Sequence, residues 1–537
     1  MIIRSMIRAG CPRGSLSRSV RIVNRTGRAS RQYSSGNTAS MPSSAPQSQA
    51  SMLATITTDL DKIAPRFELQ PDQIRIIKTP AEFYDTLKDR ILKAQSRIYL
   101  STLYIGRKEH DLISTIRTAL QQNPNLKVSF LTDALRGTRE TPKASCASLL
   151  APLISEFGDR VEVRLFHTPN LTGLRKRLIP KRINEGWGLQ HMKLYGIDDE
   201  VIISGANLST DYFTNRQDRY HLFSSADLTA YFAKMHSGVC ALSYDVQPSD
   251  SQAGYTMSWP SSNPAPSPLE SPKSFRAAAS KHLSHLLTPA NRPSSPSKTS
   301  PPSSTHIYPV MSLVPLLQTS TELPALTTLL TSLSKPPFHP SSWTFTAGYF
   351  NMTPSFRRLL LSTRPASGTV LTAHPWANGF FGSKGVSGML PDAYTHLSKM
   401  FLRKVRYEGL DSSIQIKEWK RGKVGEKDGW TYHAKGLWVT FPSASAAERQ
   451  DGVEDDPSIT VVGSSNYTKR SYELDLEANV IIATSDAGLR KRMGEEVKWL
   501  SEYATRVDES EFEKPDRKVS VGVKLSMWLV RVLGGAL

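Results

Sequence analysis

Apolar and polar positions along this chain repeat with two periods, and the alternation between them organises the sequence. Two apolar runs of strand length each end near a tyrosine: Arg97-Ile98-Tyr99-Leu100-Ser101-Thr102-Leu103-Tyr104 and Trp343-Thr344-Phe345-Thr346-Ala347-Gly348-Tyr349. A second strand follows each, Leu126 to Thr132 and Gly368 to Thr372. A third alternates in and out, Val161-Glu162-Val163-Arg164-Leu165 and Ile414-Gln415-Ile416-Lys417. Helical periodicity intervenes, as over Pro80 to Gln95 and Leu390 to Val405. Strands alternating with helices predict a mixed α/β sheet. The same order of elements met twice predicts an internal repeat, with halves over roughly 60–246 and 306–517.

The stretch between the halves breaks both periods. Twelve of the 35 prolines fall in 247–309, among dense serines such as Ser261-Ser262-Asn263-Pro264-Ala265-Pro266-Ser267-Pro268. Such composition buries too little apolar surface to offset chain entropy, so 247–305 is expected to be a disordered linker or insertion. The C-terminal segment 518–537 is apolar but carries Lys524 and Arg531. It suits either a membrane-interface contact or a last element packed on the core. No run of 18 uninterrupted apolar residues predicts a spanning helix.

Length and charge narrow the class. The 537 residues suffice for a sizeable core, and 39% hydrophobic with 21% charged residues describes a globular chain. Three scattered cysteines exclude a disulfide framework and a cysteine-based zinc site. A formal charge of +19 points to an anionic partner. Residues 1–58 hold eight arginines, many serines and no acid. That composition predicts a mitochondrial transit peptide and disordered leader, and Arg31-Gln32-Tyr33-Ser34-Ser35 fits a matrix-protease site. Without that leader, 59 basic residues face 48 acids, leaving +11.

Two of the twelve histidines stand in matching contexts. His191-Met192-Lys193 precedes the strand Val201-Ile202-Ile203 and then Ser204-Gly205-Ala206-Asn207. His433-Ala434-Lys435 precedes Ile459-Thr460-Val461-Val462 and then Gly463-Ser464-Ser465-Asn466. Eleven residues beyond each Asn stands a carboxylate, Asp218 and Glu477. On a strand, His-x-Lys points both side chains to one face. Two such faces brought together suit a phosphoryl centre: one imidazole attacks phosphorus while the other protonates the leaving oxygen. The lysines, both Asn amides and the Ser464 hydroxyl meet the developing charge. A carboxylate behind each imidazole would fix its tautomer and part the two pKa values. No metal is required by this set, and no Gly-x4-Gly-Lys-Ser/Thr loop supports nucleotide hydrolysis.

These duplicated motifs resemble the phospholipase D superfamily, whose pattern is His-x-Lys-x4-Asp followed by Gly-Ser-x-Asn. The resemblance implies two α/β/α halves with mixed sheets, packed face to face as a pseudo-two-fold pair around one active site. It covers roughly 65–246 and 306–530. Longer strings, such as Leu165-Phe166-His167-Thr168-Pro169, Tyr212 to Tyr220 and Asn378 to Val386, are similar to the mitochondrial phosphatidyltransferases of that superfamily. That likeness implies transfer of a phosphatidyl group from CDP-diacylglycerol to glycerol 3-phosphate through a phospho-histidine, with no cofactor. It implies His191 as nucleophile and His433 as general acid, then base. Lys193, Lys435, Asn207 and Asn466 would hold phosphate, and Asp218 and Glu477 would orient the imidazoles. Asp198 is carried over with the catalytic set, in a supporting structural role. Arg175-Lys176-Arg177, Lys181-Arg182 and Lys469-Arg470 would meet the acceptor's phosphate or anionic lipid, unless they are a solvated face.

The expected setting is a peripheral protein on the matrix face of the mitochondrial inner membrane, with no nucleic-acid partner. A phosphodiesterase acting on nucleic acid or cardiolipin is the alternative, and a scaffold with a dead site is a third. The first half departs from the pattern in having Ser204-Gly205 where Gly-Ser is usual. The second has Thr440 where the motif acid belongs, followed by an insertion over about 442–457. Either Asp456 replaces that acid or, as we favour, the second half works without it.

Overall fold

Burial on both faces marks the central strands of this protein, and helices cover each side. The computed structural model describes residues 48–180, 183–289, 305–442 and 456–532. In chain order the strands up to residue 258 are β1 (Phe67–Leu69), β2 (Ile74–Ile77), β3 (Arg97–Ser101), β4 (Lys127–Asp133), β5 (Val161–Phe166) and β6 (Leu194–Ile197). After these come β7 (Glu200–Ser204), β8 (Arg216–Gln217), β9 (Tyr220–Ser224), β10 (Tyr244–Pro248) and β11 (Tyr255–Ser258). Beyond residue 304 come β12 (Thr305–Ser312), β13 (Ser342–Ala347), β14 (Gly368–Ala373), β15 (Ile414–Trp419) and β16 (Thr431–Tyr432). The last are β17 (Lys435–Thr440), β18 (Ile459–Gly463), β19 (Glu477–Thr484) and β20 (Ala504–Val507).

Two nine-stranded sheets result. Their orders are β11-β10-β5-β4-β3-β6-β7-β9-β2 and β1-β12-β19-β18-β17-β13-β14-β15-β20. Reversing the second aligns eight strands one for one with the first, from β10 with β20 to β2 with β12. In each sheet three strands run parallel, β3-β4-β5 and β13-β14-β15, and the other neighbours are antiparallel. The repeat read from element order is therefore a repeat of topology.

Helices form where the sequence gives them a start and a stripe. Thr79 caps helix Pro80–Lys93 by accepting from Glu82 N, Pro80 fits its first turn, and Phe83, Leu87 and Ile91 are buried along one face. Each of those three side chains contributes about 1.5–3 kcal/mol by leaving water. One outer core holds these residues with helices His110–Gln122 and Cys146–Phe157. A second outer core holds helices Glu322–Leu333, Pro354–Ser362 and Leu390–Tyr407. Between the sheets, helices Ala226–Cys240, Pro272–Leu287 and Ala487–Ser501 build a third core. Across this middle layer Arg219 reaches the other half, donating from Nε and Nη2 to the two carboxylate oxygens of Glu496 at 2.9 and 2.8 Å.

Three expectations change. The leader assigned to 1–58 lies outside the described residues up to 47, but Gln49–Leu60 is a helix. It buries Met52, Leu53, Ile56 and Leu60 in the second half's outer core, and β1 joins that half's sheet beside β12. Absence of acids described its charge and missed its helical apolar spacing. The linker expected over 247–305 is ordered through β11 and helix Pro272–Leu287; only 290–304 lies outside the described residues. Phe275, Ala279, Leu283 and Leu287 recur every four residues on the buried face, a stripe that proline and serine content averaged away. Third, His191 and His433 precede their strands, β6 and β17, and do not lie within them. The C-terminal segment forms helix Val521–Val532, with Val523 buried and Val521, Leu525 and Trp528 exposed. No helix among the described residues is long and apolar enough to cross a membrane.

Candidate active site

Each His-x-Lys is delivered by a short bridge between the halves. His433 N donates to Gln217 O at 2.8 Å, next to the parallel pair β8 and β16. His191 N donates to Leu476 O at 2.9 Å, and Leu476 N returns a bond to Leu189 O. In both cases the accepting residue immediately precedes a carboxylate, Asp218 or Glu477. The bridge therefore presents each acid to the other half's imidazole. His433 Nδ1 donates to Asp218 Oδ2 at 2.6 Å, and His191 Nδ1 donates to Glu477 Oε2 at 2.9 Å. That fixes the Nδ1–H tautomer and leaves Nε2 of each ring unprotonated.

The lysines lie in the same volume. Lys193 Nζ donates to His191 O at 2.6 Å, and Lys435 Nζ donates to His433 O at 2.7 Å. Both are buried, as are the two histidines and the two acids. Asn207 Nδ2 donates to Tyr212 Oη at 3.1 Å, and that hydroxyl is 3.4 Å from His433 Nε2. The Oδ1 atoms of Asn207 and Asn466 are both buried without a hydrogen bond from the protein.

Among the aligned differences between the two sides, one lies directly beside the acids. Ser464 Oγ donates to Glu477 Oε2 at 2.5 Å. Its counterpart in the first half is Gly205, where a Cβ would fall 2.5 Å from Lys435 Nζ and 2.6 Å from Asp218 Oδ1. The inverted Ser204-Gly205 thus admits an ammonium beside Asp218, where the other half puts a hydroxyl beside Glu477. Electrostatics follow. Burial favours protonated Asp218, but Lys435 and the bond from His433 outweigh it and hold the carboxyl below its usual range. Burial pushes Glu477 up to about 7, against Lys193 and Ser464. Burial and then Lys193 hold His191 well below the ordinary imidazole value; burial and then Lys435 bring His433 down to about 3. Burial brings Lys193 down to about 7 and lowers Lys435. At rest both imidazoles are neutral.

Of the residues singled out in the sequence, His191, Lys193, Glu477, Ser464, His433, Lys435, Asp218 and Asn207 come together here. Asp198 does not. It lies at the far end of β6, in the turn to β7, with φ +49°. Its carboxylate accepts from Gln95 N, Ser96 N and Arg97 N at 2.7, 2.8 and 3.1 Å, fixing the start of β3. Asp198 is therefore removed from the catalytic set, because four strand residues separate it from Lys193. Thr440 pairs with Ser342 at the end of β17. Asp456 is buried, with its carbonyl accepting from Arg490 Nη2 at 2.9 Å; residues 443–455 lie outside the described residues, as do Lys181 and Arg182.

Four further residues border the site. Tyr212 touches His433 as above, and Tyr349 sets its ring edge-on to that imidazole at 5.1 Å between centroids. Arg216 lies over the Tyr212 ring at 4.7 Å and donates to Thr431 Oγ1. Asp475 accepts from Leu189 N at 2.9 Å and pairs with Arg470 at 3.2 Å. Arg216 and Asp475 stand two residues before Asp218 and Glu477, so strand periodicity from the acids was the signal that could have found them. Among the described residues no group of three or more His, Cys, Asp or Glu is placed to hold a metal ion.

No family model matches the chain. It is 44% identical over 493 residues to the CDP-diacylglycerol–glycerol-3-phosphate 3-phosphatidyltransferase of Saccharomyces cerevisiae, covering 90% of this chain and 93% of that one. It is 34% identical over 496 residues to the mitochondrial enzyme of that name from Homo sapiens, covering 87% and 84%. Among solved structures, the phosphatidylserine synthase of Haemophilus influenzae has a TM-score of 0.67 over 90% of this chain and 98% of that one, at 19% identity. That likeness is one of fold.

Proposed function

The chain belongs to the CDP-diacylglycerol–glycerol-3-phosphate 3-phosphatidyltransferase family, and we propose that it performs this transfer with His191 and His433 in opposite roles. His191 Nε2 attacks the phosphatidyl phosphorus of CDP-diacylglycerol; the bond to the CMP oxygen breaks, and His433 Nε2 gives that oxygen its proton. The 1-hydroxyl of glycerol 3-phosphate then passes its proton to His433 and attacks phosphorus. The P–N bond breaks, restoring His191 and yielding phosphatidylglycerophosphate.

The observation that carries this reading is the crossed pairing of each imidazole with the other half's acid. Positive charge forming on the phosphorylated His191 faces Glu477. His433 must hold a proton to act as acid, although burial disfavours it. The donor's diphosphate supplies the missing negative charge beside Nε2, and ionised Asp218 supports it at Nδ1. Lys193 and Lys435 neutralise the non-bridging oxygens, and the Asn207 amide donates a hydrogen bond to them. Arg216 and Arg470 add fixed cations for a phosphorylated acceptor, and the +11 left outside residues 1–58 suits three anions: donor, acceptor and lipid surface. We place the protein at the matrix face of the mitochondrial inner membrane. The acid-free leader and the relatives' mitochondrial names support that setting, and the exposed Leu525 and Trp528 support peripheral contact.

The test is an assay with CDP-diacylglycerol and labelled glycerol 3-phosphate. Labelled lipid and stoichiometric CMP are expected, with loss of about a thousandfold or more in His191→Ala and His433→Ala. No lipid product from wild type, or full activity in His191→Ala, would sink the reading. Phosphohistidine trapped at position 433 would exchange the two roles.

A further inference from the structure

The groups around the reacting histidines are lysines, amides, acids, arginines and tyrosines, so a donor's acyl chains must lie outside that shell. A neighbouring loop is of opposite character. Helix Gly173–Leu178 and the nearby Ile183 expose aliphatic surface: Leu174 is 74% exposed, Leu178 75% and Ile183 51%. Leu174 and Leu178 stand one helical turn apart on the same face. Arg175, Lys176 and Arg177 lie between them, and no acid occurs from residue 163 to 184.

This tip is anchored close to the chemistry. Leu171 is buried, and Asn170 Nδ2 donates to Trp187 O at 3.0 Å, closing the loop four residues before His191. Arg470 pairs with Asp475, which accepts from Leu189 N two residues before His191, and Tyr394 in helix Leu390–Tyr407 stacks on Tyr349, whose ring meets His433. Val386, just ahead of that second helix, is also exposed. Aliphatic side chains interleaved with cations match the boundary between anionic head groups and acyl chains. The helix and Ile183 are seven residues, far fewer than the roughly 20–30 a side of a stable protein interface.

We propose that helix Gly173–Leu178 and Ile183 form a docking tip that enters an anionic bilayer, with Leu174, Leu178 and Ile183 among the acyl chains, and holds the mouth of the site against the lipid. The proposal rests on the lipid-donor reading above and adds the surface that meets the membrane.

The full chain is tested on vesicles of phosphatidylcholine with phosphatidylglycerol and on phosphatidylcholine alone. Leu174→Ser/Leu178→Ser/Ile183→Ser should weaken binding to the anionic vesicles at least about thirtyfold, since each aliphatic side chain contributes up to about tenfold. Activity on vesicle-borne long-chain donor should fall in step, while activity on a dissolved short-chain CDP-diacylglycerol stays at wild-type level. Leu178→Trp, in a fold whose thermal midpoint is unchanged, should add blue-shifted emission, over that of the wild type, that nitroxide lipid quenches. Undiminished vesicle binding by the triple variant, or added emission from Leu178→Trp that nitroxide lipid leaves unquenched, overturns the docking tip. So does retained vesicle binding with loss of activity on the dissolved donor, which would make the loop part of the catalytic wall. Capture of the tip by a protein and not by vesicles likewise overturns it. A wild type inactive on both donors refutes the transferase reading instead, and vesicle binding then still judges the tip.

Discussion

His433 Nδ1 lies 2.6 Å from Asp218 Oδ2, although the two residues stand 215 positions apart on opposite halves of the repeat. Its pseudo-symmetric partner is the 2.9 Å bond from His191 to Glu477, across 286 positions. Each half takes the acid that bonds its imidazole from the other half. The shared middle core, with Arg219 clamped on Glu496, keeps the halves in register.

Removing either acid should therefore damage catalysis without unfolding the chain. Asp218→Asn and Glu477→Gln keep shape but lose the preference for the Nδ1–H tautomer. We expect kcat to fall by about 10²–10⁴-fold with KM for the donor little changed. Steady-state kinetics beside a thermal melt check this; a variant with wild-type kcat would show that the crossed pairs are structural only.

Gly205 is an aligned position where the halves differ, with Ser464 in the other half. Adding a methyl there places Cβ 2.5 Å from Lys435 Nζ. Gly205→Ala should displace that ammonium and lower kcat/KM by about 10²–10³-fold, the scale of losing one transition-state donor. Thermal stability should change little. Unaltered kcat/KM would mean that Lys435 does not contact the reacting phosphate.

Burial pushes the Glu477 carboxyl up to about 7. Protonation removes the anion behind His191, so kcat/KM should fall as pH drops through about 7. The apparent value belongs to the His191–Glu477 pair. Ser464 donates to the carboxylate and favours its ionised form. In Ser464→Ala the acid limb should move to higher pH by about one unit, from the loss of one hydrogen bond to a charged group. A limb that stays put, or moves down, would exclude Glu477 as its origin.

Stability carries a separate signature. The carboxyl of Glu322 lies buried beside Ser465 and Asn479, and burial raises it from 4.5 to about 8. Between those values the folded chain keeps a proton that the unfolded chain has released, so stability falls as pH rises through that window. Glu322→Gln removes this titration and should flatten the decline in denaturation midpoint between about pH 4.5 and 8. An unchanged slope would assign the decline to other groups.

The repeat, the strand–helix alternation and the chemical inventory are all legible in the amino-acid sequence. Two His-x-Lys triplets, two Asn loops and two acids at equal spacing are local facts, written in adjacent residues. Helix Pro80–Lys93 and strands β3 to β5 lie where periodicity puts them, because side-chain direction along an element follows from neighbouring positions. Local windows failed where a segment's order depends on a distant surface. Gln49–Leu60 looked like leader until the second half offered its face to Met52, Ile56 and Leu60. Pro272–Leu287 looked like linker until the middle layer took up Phe275 and Leu283. Asp198 illustrates the same limit from the other side, for the motif carried it over with the catalytic set while the β6–β7 turn holds it at the far end of the strand, in the structural role expected of it. Which acid serves which histidine was likewise beyond the sequence. Spacing fixes what lies on one strand, but only the packing of two sheets decides which side chains meet across 215 and 286 residues.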